Sequence, residues 1–296
     1  MPPRWLKQSA RLLANSAVFR PGRQLFAENL RNWNLPLSKF DKLRMGSWLI
    51  LEDYSKGVFP PQFLDQRAAY QAEKDYFFAL PGMTDKQVRY NNITKPFWPG
   101  KDRGIFLNQF STLVSRLQQI QVEPPAKILE LGCGGGWMAE FLATMGYDVC
   151  GTTISEIDIA DAGRRIKALA AKEIPFKLRF VAAPMETIHE TLAGELFDAA
   201  FVYEALHHAY DWRETIQSAH KCLRANGWLL ICNEPNLLHT CISYRVAKLT
   251  NTHEIGFRKR ELVAGLRQAG FRKIISTGPK WHWWFRPHWL LAQKQP

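Results

Sequence analysis

The chain has no apolar run near the length of about 20 residues that a membrane-crossing helix needs, and no apolar N-terminal segment with a cleavage site is visible. A soluble globular protein is the expectation. Cysteine is sparse: Cys133, Cys150, Cys222, Cys232 and Cys241 show neither C-x-x-C spacing nor an even count. Reduced, mostly buried thiols in a cytoplasmic setting follow from that, and the Asn92-Ile93-Thr94 triplet then carries no glycan. Also missing are metal-ligand spacing, a serine or cysteine nucleophile arrangement, familiar RNA-binding signatures, internal repeats and low-complexity tracts.

Acidic residues are few, which gives a net charge of +12. Residues 1–50 hold nine Lys or Arg against Glu28 and Asp41, and residues 243–296 hold eleven against Glu254 and Glu261. The middle is therefore mildly acidic. Basic ends of this kind suit phosphate groups, a membrane surface or RNA, or form a merely well-solvated surface. With 296 residues, 46% of them hydrophobic, the chain can bury one large core with an added cap, rather than two independent enzymes.

The most telling stretch is Lys127-Ile128-Leu129-Glu130-Leu131 followed by Gly132-Cys133-Gly134-Gly135-Gly136. A buried strand that runs into a glycine turn and then a helix lets backbone approach a ligand at the helix N-terminus. A dinucleotide site wants G-x-G-x-x-G, whose third glycine packs helix against strand; that position is Trp137. The spacing present is G-x-G-x-G, with Glu130 two residues ahead of it.

This stretch resembles motif I of class I S-adenosylmethionine-dependent methyltransferases of the small-molecule type. The segments that follow keep the family's order: strands over residues 147–152, 178–183 and 197–203, then Glu204-Ala205-Leu206-His207-His208, similar to the family's E-x-L-x-H segment. A helix from Trp212 to Leu223 stopped by Asn226-Gly227, a strand over 227–232 leading to Glu234-Pro235-Asn236, and a last helix from Glu261 to Phe271 complete the match. The resemblance implies an α/β fold, a Rossmann-like doubly wound and mostly parallel seven-stranded sheet with a C-terminal β-hairpin. That domain is expected over residues 123–296, behind an N-terminal helical cap over 1–122; Pro124 and Pro125 mark the boundary.

The resemblance also implies S-adenosyl-L-methionine as cofactor. Glu130 and the backbone of Gly132, Cys133, Gly134 and Gly136 would hold its methionine portion. The family's second strand usually ends in an acid whose two oxygens take both ribose hydroxyls, and here Thr152 and Thr153 stand there. Where the family places Asp against the adenine amino group, this chain has Pro184, followed by Met185 and Glu186, and Met185 is left to offer its amide and side chain to the ring. Tyr203 and Glu204 end the fourth strand, where ligands bind in open α/β sheets.

Methyl transfer from a sulfonium is an in-line displacement, so the protein must align donor and nucleophile, exclude water and take up a proton. A neutral imidazole suits the last task. His207 is read as the base and His208 as a positioning group, while His239, Tyr244, Arg245 and His253, after the fifth strand, are candidates to meet the acceptor.

The first segment reads as a basic amphipathic helix from Arg4 to Asn15, with Trp5, Leu6, Leu12 and Leu13 on one face and Arg4, Lys7 and Arg11 opposite, broken at Pro21-Gly22. Three placements are open: a cover on the catalytic domain, contact of residues 1–20 with an anionic membrane surface, or organellar targeting. Between Pro60-Pro61 and Pro81-Gly82 a helical pattern carries Phe63, Tyr70, Tyr76, Phe77 and Phe78; Lys95 to Gly100 reads as an ordered loop, and Phe106, Phe110, Leu113, Leu117 and Ile120 mark another helix. By the resemblance, such a segment lids the substrate. The tryptophan-rich stretch from Trp281 to Trp289 is expected in the turn and second strand of the terminal hairpin, packed on its own domain or at a bilayer interface.

The reading is thus methyl transfer to a small-molecule, glycan- or lipid-linked acceptor, at oxygen. Two others stay open, an RNA methyltransferase that the charge favours and a methyltransferase-like binding protein without catalysis.

Overall fold

The computed structural model describes residues 3–19, 23, 26–32, 37–58, 65–97, 103–173, 175–277 and 287–296. The expectations placed on Pro21-Gly22, Pro60-Pro61, Phe63, residues 98–100 and residues 281–286 lie outside the described residues.

Seven strands form one sheet: β1 Lys127–Leu131, β2 Asp148–Thr153, β3 Lys177–Ala182, β4 Phe197–Tyr203, β5 Leu223–Glu234, β6 Phe271–Ser276 and β7 His288–Lys294. Their order is β3-β2-β1-β4-β5-β7-β6. The pairs among β1 to β5 are parallel, whereas β7 runs antiparallel to both β5 and β6. This is the expected mostly parallel sheet closed by a hairpin. Strand order reverses between β1 and β4, and a crevice opens there at the carboxyl ends of the strands.

The apolar runs become strands because both faces are covered. Leu129 and Leu131 point into one core with Ile216, Leu229 and Leu262, while Ile128 points into the other with Leu113, Leu117 and Met138. Element ends shift where pairing overrides turn residues. The helix expected to reach Leu223 stops at Cys222, because Leu223 already pairs with Phe197 in the sheet. The last helix ends at Gln268, since Gly270 turns at φ 104° and Phe271 opens β6.

Twelve helices are described: α1 Arg4–Ala14, α2 Lys39–Lys56, α3 Gln66–Lys74, α4 Tyr76–Ala79, α5 Asp85–Thr94, α6 Arg103–Gln119, α7 Trp137–Thr144, α8 Glu156–Ala170, α9 Ile188–Thr191, α10 Trp212–Cys222, α11 Leu238–Thr250 and α12 Lys259–Gln268. Helix α6 packs Leu113 and Leu117 against the sheet, so the boundary drawn at 122/123 falls behind a helix that shares the domain's core.

The N-terminal helices sit on α11. Gly46 of α2 lies so close to the backbone of Cys241 that a Cβ there would come 1.6 Å from its carbonyl oxygen. Tyr244 donates to Asp53 at 2.8 Å, Lys248 pairs with Asp53 at 2.7 Å, and Arg245 reaches the carbonyls of Asn29, Leu30 and Asn32. Helix α1 docks through Ala10 and Ala14, both buried, and leaves Trp5, Leu12 and Leu13 exposed. The face that periodicity marks as apolar is therefore turned outward, because the small alanine side allows the closer approach.

Candidate active site

After Leu131 the chain turns through Gly132, Gly134 and Gly136 at φ of 70°, 50° and 75°, where only glycine is unstrained. A Cβ at Gly132 would come 2.5 Å from that of Ala205, and one at Gly136 2.5 Å from the Phe180 ring. One at Gly134 would meet nothing within 4 Å. Two glycines thus make room for the protein, and the middle one borders open space. Cys133 donates its amide to the Thr152 carbonyl at 2.7 Å, so that N–H serves the turn rather than a ligand.

Glu130 lies buried under this turn. Its Oε2 has no hydrogen-bond partner. Burial, opposed by the Ala139 amide, Lys95 and Arg165, pushes the carboxyl up to about 8. A buried oxygen without a donor is costly. Beside an open glycine turn, it fits a ligand that ends in an ammonium group.

The two threonines part company. Thr152 is wholly buried and donates to the Glu130 carbonyl at 3.0 Å, so it faces the sheet. Thr153 lines a cavity of about 120 Å³ together with Gly132, Ser155, Asp158, Met185 and His208. Its hydroxyl oxygen accepts the Ser155 amide at 3.2 Å. The carboxylate on this wall is Asp158, in the first turn of α8, held by Asn92 of α5 at 2.8 Å. Burial chiefly, with help from Asp161, lifts its carboxyl to about 6. Sequence reading passed over Asp158; the available signal was an acid one helical turn beyond the strand end that lacks one.

Pro184 and Met185 form the opposite wall. Glu186 also borders the cavity, but its Oε1 accepts the amides of Tyr210 and Asp211 at 2.8 and 3.3 Å and so braces the loop after β4. Tyr203 donates to Gln109 of α6 and packs on Trp137. Glu204, at φ 47°, accepts from Asn233. Of the expected donor residues, the structure brings Gly132, Thr153, Met185 and Glu186 to one cavity, beneath α3, which adds Tyr70 and Glu73.

His208 is on the cavity wall, while His207 lies behind it with ring centroids 4.2 Å apart. Glu234, at the end of β5, accepts the amides of Ala205, Leu206 and His207 at 2.8, 2.9 and 3.2 Å, and meets Nδ1 of His207 at 2.9 Å. Burial and the neighbouring His208 cation hold His207 well below the ordinary range, in the neutral form. Burial works the same way on His208, but Glu73, 3.1 Å from its Nδ1, and Glu254 outweigh it and raise the group to about 9.

His239 pairs with Glu254 at 2.9 Å, and the ligating atoms of His207, His239 and Glu254 lie within 4.8 Å of one another. That trio is the set among the described residues whose donors suit a divalent cation; each member already has a hydrogen bond. Tyr244 and Arg245, considered for the acceptor, instead fasten the N-terminal helices.

A clasp joins cap to domain. Arg165 of α8 donates to the Gly135 carbonyl at 2.8 Å, to Glu140 at 2.6 Å, and to the carbonyls of Asn92, Ile93 and Lys95 at 2.7, 3.1 and 2.8 Å. Lys95 is thereby carried beside Glu130, Glu204 and Asp158; burial lowers its ammonium against their pull.

Residues 129–231, from β1 through most of β5, match the family model described as a methyltransferase domain. The matched stretch is a methyltransferase domain within a longer chain. It is 29% identical over 165 residues to a ubiquinone biosynthesis O-methyltransferase of Bordetella avium (strain 197N), a stretch covering 53% of this chain and 66% of that one. A counterpart in Hydrogenovibrio crunogenus is 27% identical over 191 residues, covering 61% and 77%. The magnesium protoporphyrin IX methyltransferase of Synechocystis PCC 6803, solved with bound SAH, shares the fold at TM-score 0.56 and 17% identity, over 77% of this chain and all of that one. In this methyltransferase domain the open glycine, the orphaned Glu130 oxygen and the walls of the cavity fit S-adenosylmethionine.

Proposed function

We propose that this chain transfers a methyl group to an oxygen of a small acceptor held between the glycine turn and the cap. The observation that carries the proposal is the shared cavity: Gly132, the residues after β2 and β3, and His208 line one space, with the unpaired Glu130 oxygen under the adjoining turn. Bound S-adenosylmethionine supplies an electrophilic methyl on a sulfonium. Glu130 would oppose its ammonium group, and Pro184 and Met185 would face its ring.

His208 takes the acceptor proton. It stands on the wall, whereas His207 is set back and held by Glu234, so the roles read from sequence exchange: His207 becomes the positioning group. Glu73 neutralises the imidazolium that results, a pairing that costs little because the two already lie together. Helix α3 shields this chemistry from water with Tyr70 and Glu73. The ubiquinone-pathway O-methyltransferases support oxygen as the nucleophile. An acceptor on a glycan or lipid carrier suits the same site if only its reactive end enters.

The test is transfer of labelled methyl to small hydroxyl compounds, phenols included, and to total RNA in parallel. Label in the small compounds, lost with His208→Ala, is the expected result; transfer to RNA alone, or no binding of S-adenosylhomocysteine, overturns the proposal.

A further inference from the structure

Trp5, Leu12 and Leu13 of α1 are 66%, 69% and 54% exposed. They span about 100° of the helix, opposite the buried Ala10 and Ala14 that dock it. The pair α1–α2 is antiparallel: Lys7 near the start of α1 lies against Gly57 at the end of α2, and Arg44 near the start of α2 donates to the Val18 carbonyl beyond α1 at 3.4 Å. Arg44 also sits over the exposed ring of Phe40, 5.9 Å from its centre. One hairpin thus shows a row of large apolar side chains to water.

Single exposed apolar residues are ordinary, and a row of them on one helix face is not. The docking side of α1 is already used, so the outward side has no further role within the described fold. Its surroundings say what meets it. Helix α1 contains no acid, Arg4 and Arg11 lie on the side away from the apolar arc, and the first fifty residues hold nine basic residues against two acidic ones. An apolar face that includes tryptophan, on an acid-free helix whose other side carries arginine, is the pattern of a helix lying in a lipid headgroup layer.

We propose that the α1–α2 hairpin binds the surface of an anionic bilayer, with Trp5, Leu12 and Leu13 among the upper acyl segments and Arg4, Arg11 and Arg44 on lipid phosphates. The partner is the bilayer surface, and the contact is independent of the methyl-transfer reading. Co-sedimentation of the full chain with vesicles tests it. Binding is expected to vesicles of phosphatidylcholine mixed with phosphatidylglycerol, to weaken with salt, and to be lost on phosphatidylcholine alone. Leu12→Ser with Leu13→Ser, and separately Arg4→Glu with Arg11→Glu, should each lower it about tenfold or more at an unchanged melting temperature. No binding to the anionic vesicles, or equal binding by the variants, overturns the proposal. So does a dimer in sedimentation velocity that the serine variant dissolves, since the face would then belong to a second copy.

Discussion

Oε2 of Glu234 lies 2.9 Å from Nδ1 of His207, and the same carboxylate takes three backbone amides of the turn that carries both histidines. A wholly buried acid at the end of β5 therefore sets the shape of the loop after β4. Glu234→Gln keeps the volume but offers one acceptor oxygen in place of two and brings an NH2 against buried donors. Each donor left unpaired costs about 1–3 kcal/mol. The expected outcome is a melting temperature lower by several degrees together with reduced turnover, with S-adenosylhomocysteine affinity nearly kept. Calorimetry and initial rates check it.

His208 stands at about 9 because Glu73 and Glu254 outweigh its burial. A group that must be neutral to accept a proton is then mostly charged at neutral pH. Turnover at saturating acceptor should rise with pH and level off near about 9. His208→Ala should lower turnover about 10²–10⁴-fold and remove the rise, while His207→Ala lowers turnover but leaves the profile's shape. An unchanged profile in His208→Ala contradicts the assignment.

Glu130 titrates near 8 rather than in the usual carboxylate range, because it is buried. Its folded pKa is raised, so between the ordinary carboxylate range and about 8 the folded state holds more proton than the unfolded state. Stability must then fall as pH rises through that window. Glu130→Gln should flatten this slope in thermal melts of the ligand-free protein and weaken S-adenosylmethionine binding about 10–100-fold. A slope left intact in the variant counts against the assignment.

Asp158 is expected to take the ribose hydroxyls. Thr152 is spent inside the sheet, Glu186 on the loop amides and Glu73 on His208, which leaves Asp158 as the cavity's remaining carboxylate near the end of β2. S-adenosylhomocysteine and its 2′-deoxy and 3′-deoxy forms, titrated against wild type and Asp158→Asn, separate the possibilities. The wild type should lose about tenfold or more on removal of a hydroxyl, and the variant should barely distinguish the ligands. Equal discrimination by both proteins places the ribose elsewhere.

The sheet was legible because strands covered on both faces are continuous apolar runs, and because Gly132, Gly134 and Gly136 can stand together only where backbone crowds backbone or a ligand. The remainder depends on which way a side chain points. His207 and His208 are neighbours on one tight turn, and only the pull of Glu234 from a strand 27 residues away sets His207 back. Asp158 sits among ordinary helix-start acids until Asn92, 66 residues earlier, draws it to the cavity. Helix α1 has the pattern of a covered helix, and the choice of its alanine face for docking was made by the close contact with α2.

The central claim is that the turn after β1 cradles the methyl donor, and titration calorimetry of S-adenosylhomocysteine against the full chain, beside Gly134→Val, tests it most directly. A Cβ at Gly134 meets no protein atom within 4 Å, so the branched side chain would project into ligand space from a backbone at φ 50°. The account predicts saturable heat with wild type and none with a Gly134→Val protein shown to be folded by its melting curve. No heat and no thermal shift for wild type at millimolar ligand, or undiminished binding by the folded variant, would contradict it.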